Sequence, residues 1–372
     1  MTTPDAVDSR EQQLLESARS GDEGAFGELM SDHRTGLLAH CYRMLGSTHD
    51  AEDALQDAML RAWRGLKRFE GRSSLRSWLY RIATNSCLDI IGRRPKRVLP
   101  LDHAPASGPD DVPGRPEVES VWIEPFPDET LAVEDGLAGP EARYEQREAL
   151  ELAFIAALQH LAPNQRAALI LREVLGFSAS EVSQTMDTSV ASVNSALQRA
   201  RETVDNRLPD RSQQATLRDL GDQRVRELVE GYMDAMERCD VDKVLSMLTE
   251  DAAWSMPPMS TWWQGHEDLE AWLSRWPLSG EWKWAHRASH ANGQPAVASY
   301  TWDEERGRFL PFALDVLTLR DDKISAVTSF ITRSMETEDE EALEGRWPEQ
   351  EMDQRALIGV YERFGLPAEL SA

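Results

Sequence analysis

The chain has 372 residues, of which 65 are acidic and 40 are basic, so its formal net charge is −25. At roughly 150 residues per domain, this length predicts two or three folded domains. Hydrophobic residues make up 41% of the chain, too many for a wholly disordered acidic protein. No apolar run approaches the roughly 18 residues of a membrane helix, and the N-terminus lacks a signal-peptide pattern. We therefore expect a cytoplasmic protein that does not act at a membrane.

The three cysteines, Cys41, Cys87 and Cys239, lie far apart and form no CxxC pair. This spacing suggests neither a disulfide framework nor a zinc ribbon, and it favours ordinary buried thiols. We expect no metal, no cofactor and no catalytic residue.

Charge is distributed unevenly along the chain. Between residues 60 and 97 there are eleven Lys and Arg against two acids, a net of +9, although the whole protein is acidic. Residues 98 to 148 carry a net of −10 and eight prolines. The first segment can contact phosphates, because such contacts depend on the local field. The pattern predicts an acidic, Pro-rich linker over residues 98–140.

Helical periodicity runs through residues 10–97, with breaks near 45–47 and 69–73, and predicts four helices. The third begins with Ser47 and Asp50, spaced as in a capping box, and shows a polar face opposite its apolar one. This face carries Asp50, Asp53, Gln56 and Asp57.

A second helical block covers residues 141–207. Ser178 and Glu181 form a capping box for a short helix, a break follows at 187–188, and a longer helix comes after it. This spacing is typical of a helix-turn-helix.

The sequence pattern changes near residue 222. Helical segments are followed by alternating stretches rich in Trp, which predict an α+β domain over 222–335 with an antiparallel sheet. A tail helix over 348–372, with Leu357, Val360, Tyr361 and Phe364, needs a surface to pack against. We expect this domain to dock on the helical domains and set their orientation.

The motifs DAEDALQDAMLRAWRGL, FEGRSSLRSWLYRIATNSCLDIIGRRPKR and the helix-turn-helix occur in the order found in one family. The chain resembles the extracytoplasmic-function (group four) sigma factors of bacterial RNA polymerase, in the subgroup with a fused SnoaL-like domain that includes the SigG type. The resemblance implies a multi-domain fold, with two all-α sigma domains (a helical bundle and a helix-turn-helix) followed by an α+β SnoaL-like cone-shaped domain. The DGGGR motif of a related subgroup is absent.

The resemblance also implies partners and site residues. Its partners are promoter DNA and core RNA polymerase, through the β′ clamp helices and the β flap. The β′-binding positions carried over are Asp53, Gln56 and Asp57. Those for the −10 element are Arg76, Trp78, Tyr80, Arg81 and Asn85, with Asn85 receiving a flipped base. Those for the −35 element, on the second helix of the helix-turn-helix, are Ser189, Ser192, Asn194, Ser195, Gln198, Arg199 and Arg201.

Plainer interpretations stay open at each of these places. The acidic face can be a solvated helix surface, Trp78 a core residue, Asn85 a helix cap, and the serines passive. The resemblance implies that the linker follows the RNA exit path of polymerase. The plainer interpretation is that it is a simple tether.

The SnoaL-like domain is a candidate for a small-molecule pocket. Its lining would come from Trp254, Trp263, Trp272, Trp302 and Phe312, which could equally fill a core. His266 and Asp315 are the acid–base candidates, although a surface His and a strand-edge Asp are the ordinary interpretation.

We therefore expect a sigma factor that recognises −35 and −10 elements and promotes DNA melting, with activity modulated by its own C-terminal domain. The alternative is a SnoaL-like enzyme with a DNA-binding appendage. A simple repressor would leave DAEDALQD and the 72–97 segment unexplained.

Overall fold

A computed structural model describes residues 4–114, 121–128, 147–331 and 360–371. The chain forms two compact units. The first comprises Met1–Lys96, Glu129–Ala149 and Ala153–Leu208. The second comprises Arg97–Asp128, Leu150–Leu152 and Pro209–Ala372.

The helices of the described ranges fall in two groups along the chain. Those up to residue 103 are α1 (Pro4–Arg19), α2 (Glu23–Leu45), α3 (Thr48–Gly65), α4 (Leu75–Ile91) and α5 (Pro100–His103). The later ones are α6 (Leu152–Gln159), α7 (Pro163–Leu169), α8 (Ala179–Thr185), α9 (Val190–Asp205), α10 (Gln213–Glu237), α11 (Val241–Met247) and α12 (His266–Arg275). A 3-10 turn (Leu66–Arg68) follows α3, and a π turn (Ile170–Val174) follows α7.

Local signals set the helix boundaries in the first unit. Gly46, at φ 69°, ends α2, and the Ser47 hydroxyl accepts the Asp50 amide at 3.0 Å to begin α3. Ser178 and Glu181 form the reciprocal capping box of α8, with bonds of 3.2 and 2.8 Å. The four-helix prediction for residues 10–97 and the helix-turn-helix are confirmed, with α8 and α9 as its two helices.

The core of the first unit is helical and includes two of the cysteines. Cys41 and Cys87 are both fully buried free thiols, whereas Cys239 in the second unit is partly exposed. His40 is also fully buried, with Nε2 at 2.9 Å from the Thr84 hydroxyl, and burial lowers its pKa to about 3. None of the helices in the described ranges is long and apolar enough to cross a membrane.

The second unit holds a six-stranded sheet. Its strands are β1 (Leu248–Ser255), β2 (Trp262–Gln264), β3 (Trp284–Ala291), β4 (Gln294–Asp303), β5 (Arg308–Arg320) and β6 (Lys323–Ile331). The order is β2-β1-β6-β5-β4-β3. The prediction of an antiparallel sheet is wrong at one place, because β1 pairs with β6 in parallel. The chain reaches the last strand only after α12 and three further strands, so β6 enters between β5 and β1.

The tail of the chain packs on its own sheet. Tyr361 is fully buried, and its hydroxyl lies 2.7 Å from both the Ser299 and the Ala313 carbonyl oxygens. Leu370 forms a backbone bridge with Phe309. The predicted need of the tail for a packing surface is therefore met within the second unit, and it supplies no argument for docking elsewhere. Leu357 and residues 348–359 lie outside the described residues.

The segment 97–128 is also part of the second unit. The Trp262 and Trp263 indoles donate to the Ala104 and Gly108 carbonyl oxygens at 2.8 and 3.1 Å. At its other end, Asn292 accepts from the Phe126 amide at 2.9 Å. The sequence predicts an extended linker over 98–140. Its described part instead packs on the sheet and on α12, because apolar residues between its charged ones, such as Phe126, are buried there.

Candidate nucleic-acid interface

The basic segment forms an exposed surface of the first unit. Ten of its eleven cations are exposed. The eleventh, Arg97, belongs to the second unit, where it is buried and donates to the Trp122 carbonyl oxygen at 2.5 Å. Some of the ten exposed cations are already in ion pairs. Arg61 contacts Asp57 at 2.8 Å and Asp89 at 2.9 Å. The remaining positive charge can still attract a polyanion at short range.

The polar face of α3 is only partly open. Asp53 and Gln56 are exposed, and Asp57 is half-buried, where it accepts from the Ser86 hydroxyl at 2.8 Å besides pairing with Arg61. Asp50 is 2% exposed and pairs with Arg94, so it does not belong to the accessible face. A partner approaching α3 meets Asp53 and Gln56 first.

Three of the −10 candidates lie in a cluster of aromatic rings. Tyr80 is 5% exposed and packs edge-on against Phe177, at 5.5 Å between ring centroids. Arg76 lies over the Phe177 ring at 4.4 Å and donates to the Leu175 carbonyl oxygen at 3.0 Å. Trp78 is partly buried against Phe69, at 4.9 Å between centroids. Tyr80 is therefore covered, Trp78 is partly accessible, and base stacking by either ring stays a prediction.

Arg81 and Asn85 are both exposed on α4. Asn85 lies in the interior of that helix, so the interpretation as a helix cap is wrong. Its side-chain amide is exposed on a regular helical turn and can both donate and accept hydrogen bonds.

The second helix of the helix-turn-helix presents its predicted residues to solvent. All seven are exposed: Ser189, Ser192, Asn194, Ser195, Gln198, Arg199 and Arg201. Ser189 is the N-cap of α9 and accepts from the Ser192 amide at 3.1 Å, so this serine has a structural role as well. Asn, Gln and Arg on one exposed helix face are the side chains that read base edges in a major groove.

Glu173 is a contact that sequence reasoning missed. It lies in the π turn after α7, and its carboxylate is 2.5 Å from the Arg201 guanidinium. The pair is half-exposed, so water screens it and its net energy is small. It nonetheless places a negative charge beside the C-terminal part of the exposed helix. The 28-residue separation explains why no local pattern revealed it.

The second unit contains one further site, an aromatic cavity with Asp315 in its wall. Trp254, Trp272 and Phe312 line it as predicted, whereas Trp263 stacks behind Trp272 at 4.7 Å and Trp302 packs on Phe309. Asp315 is 3% exposed in the middle of the sheet, so its interpretation as a strand-edge residue is wrong. His266, the other candidate, is partly exposed at the start of α12 and does not line this cavity.

Comparisons with protein families match three parts of the chain. Residues 29–97 match Sigma-70 region 2, residues 151–204 match Sigma-70 region 4, and residues 229–327 match the SnoaL-like domain. The first two contain the basic surface, the α3 face and the helix-turn-helix, and the third contains the cavity.

Individual relatives agree with this order of domains. The chain is 40% identical over 320 residues to the ECF RNA polymerase sigma factor SigG of Mycobacterium tuberculosis, covering 85% of this chain and 83% of that protein. It is 31% identical over 203 residues to the ECF RNA polymerase sigma-E factor of Escherichia coli, covering 53% of this chain and 94% of that protein. The crystal structure of the M. tuberculosis extracytoplasmic function sigma factor SigJ covers 82% of this chain and 95% of its own, with a TM-score of 0.52 and 21% identity, which establishes a shared fold.

The length and identity of the SigG match, taken with the two helical regions and the exposed recognition helix, establish the family. The chain belongs to the ECF RNA polymerase sigma factors, which direct transcription initiation at specific promoters and are not enzymes, and it carries a C-terminal SnoaL-like domain.

Proposed function

We propose that this chain acts in the cytoplasm and binds core RNA polymerase. Asp53, Gln56 and Asp57 of α3 contact the β′ clamp helices, and the helix-turn-helix unit contacts the β flap. We further propose that α9 reads the −35 element and that exposed residues of α4 read the −10 element. The observation that carries the proposal is the face of α9, where seven polar residues are exposed together.

Core binding can be tested on the α3 face. Asp53→Ala combined with Gln56→Ala should weaken association with core polymerase about tenfold or more, because a lost hydrogen bond to a charged group costs about 1.5–3 kcal/mol. The measurement is fluorescence anisotropy with labelled protein, followed by single-round transcription. Glu16→Ala, an exposed acid on α1, is the matched control. Unchanged association of the double variant, with a normal circular dichroism spectrum, would overturn the assignment of this face.

One of the −10 residues, Tyr80, needs the aromatic cluster to open. Its ring is covered by Phe177, which follows α7 and precedes the helix-turn-helix, whereas Arg76 is exposed although it donates to the Leu175 carbonyl oxygen and lies over the Phe177 ring. We therefore infer that binding to polymerase separates these parts of the first unit before Tyr80 meets DNA. Arg81 and Asn85, both exposed, are accessible without that separation.

We also infer that the SnoaL-like domain lowers activity by holding the linker. Asn292 and Gly293 form the β3–β4 turn, with φ of 56° and 69°, as in a type I′ hairpin. The Asn292 side chain accepts from the Phe126 amide at 2.9 Å and donates to the Leu150 carbonyl oxygen at 2.8 Å. This one side chain therefore joins the middle of the segment that connects the two sigma regions, at Phe126, to its C-terminal end, at Leu150.

Asn292→Gly tests this inference, because it removes the side chain that makes both hydrogen bonds and glycine tolerates the positive φ. Each lost hydrogen bond costs about 1 kcal/mol, so the held state should weaken measurably and single-round transcription should rise at equal core saturation. Asp321→Gly, at φ 55° in the β5–β6 turn, is the matched control. Equal or lower transcription by Asn292→Gly would show that holding the linker does not inhibit.

A further inference from the structure

The cavity of the second unit is an aromatic box. It encloses about 480 Å³, counting its open mouth, between the sheet, α10 and α12. Six of its lining residues are aromatic: Trp254, Trp272, Trp276, Trp282, Trp284 and Phe312. The rings stand at angles to each other. Trp254 meets Trp272 at 58°, and Phe312 meets Trp284 at 77°. These edge-to-face contacts hold the rings in place around the cavity that they line.

The charged group in the wall of this box is Asp315. Among the described residues that line it there is no Lys, Arg or His, and the other polar side chains are Ser299 and Ser329. Asp315 Oδ2 accepts from the Tyr232 hydroxyl at 3.1 Å and from the Ser299 hydroxyl at 3.3 Å. Burial raises the pKa of this carboxyl, and the hydroxyl bonds, including one from Ser329, oppose that rise.

The hydrogen-bond directions suit an ionised carboxylate. The Trp254 indole donates to Ser329 Oγ at 2.9 Å, which leaves the serine's own hydrogen for Asp315. A carboxylate only accepts, and three hydroxyl donors satisfy it without a cation. The nearby His286 ring also opposes the rise of the Asp315 pKa, but it is not part of the lining, and its Nδ1 lies 3.5 Å from a Glu237 carboxylate oxygen. The Asp315 carboxylate is therefore held by hydroxyl groups and forms no ion pair with the described residues.

Two indole N–H groups in the lining also have no hydrogen-bond partner among the described residues. They belong to Trp272, which is 2% exposed, and Trp276. Buried donors of this kind are normally satisfied. The box thus offers aromatic faces, one carboxylate and two indole donors that have no partner among the described residues.

We propose that this cavity binds a small organic cation of the alkylammonium type that also carries an oxygen acceptor. The ammonium group pairs with Asp315, its alkyl groups contact the indole rings, and the oxygen accepts from Trp272 or Trp276. Tryptophan faces attract such cations through the ring quadrupole, and a desolvated carboxylate adds a full opposite charge. This proposal does not depend on the proposed promoter recognition, because it concerns the binding of a small molecule to the second unit.

The test uses two probes of the same shape. Choline carries a quaternary ammonium and a hydroxyl, and 3,3-dimethylbutan-1-ol replaces its nitrogen by carbon and is neutral. With full-length protein, we expect choline to bind at least about tenfold more tightly than the alcohol, measured by tryptophan fluorescence and calorimetry. Equal affinity for the two probes would overturn the cation assignment without any variant.

Variants locate the site. Asp315→Asn, which keeps the shape of the side chain, should weaken choline binding at least about tenfold and leave the alcohol unchanged. Trp302→Phe, outside the cavity, is the control and should bind choline as the wild type does. Choline binding that survives in Asp315→Asn would place the cation elsewhere. Tetramethylammonium and benzyltrimethylammonium extend the probes in size, and no saturable binding of any cation up to about 10 mM would refute the proposal.

Discussion

Replacing Glu173 by Gln should strengthen binding to −35 DNA, because it removes a negative charge that pairs with Arg201 beside the recognition helix. The Arg201 side chain is 57% exposed and the Glu173 side chain is 34% exposed, so their 2.5 Å contact is a half-exposed ion pair. Such a pair is worth about 0–1 kcal/mol. An Arg201 freed from it can contact a phosphate, so affinity should rise by up to about fivefold.

The salt dependence provides a second, independent magnitude. One additional neutralised phosphate makes the slope of log K against log salt more negative by about 0.9. The assay is fluorescence anisotropy with a −35 duplex across a salt series, using Glu173→Gln and the control Asp32→Asn, an exposed acid on α2. A control is needed because any lost acid raises the net charge by one.

A double-mutant cycle isolates the pair from this general charge effect. In an Arg201→Ala background, Glu173→Gln should change affinity no more than Asp32→Asn does. The reasoning is refuted if Glu173→Gln leaves the affinity and the salt slope of the wild type unchanged, or if its effect persists fully without Arg201.

Two further predictions concern the first unit. Asn85→Ala should permit closed-complex formation but slow the appearance of permanganate-reactive thymines near −10, because the exposed amide of Asn85 is proposed to hold a flipped base; equal reactivity would remove Asn85 from the site. Burial lowers the pKa of His40 from 6.5 to about 3, so protonation favours the unfolded state and stability is lost as pH falls below 6.5. Between pH 7 and pH 5 this group alone should remove about 2 kcal/mol, seen in urea unfolding as a pH dependence that His40→Gln lacks; identical pH profiles would contradict the burial argument.

Sequence alone determined the order of the domains and the chemistry of the recognition helix. The capping pair Ser178 and Glu181 and the exposed polar positions of α9 depend on spacings of a few residues, which helical geometry converts directly into position. For the same reason Asp53 and Gln56 were correctly expected on an open helix face.

Tertiary structure decided which of these groups are available. Tyr80 is buried by Phe177, nearly a hundred residues later, and Arg201 is paired with Glu173 across 28 residues. The insertion of β6 between β5 and β1 buries Asp315 in the centre of the sheet, where the sequence suggested an edge. The described part of the acidic linker belongs to the second unit, where the Phe126 side chain is buried and the Phe126 amide donates to the distant Asn292 side chain. Local patterns predict which face a side chain occupies, but only the packing of distant segments determines what covers that face.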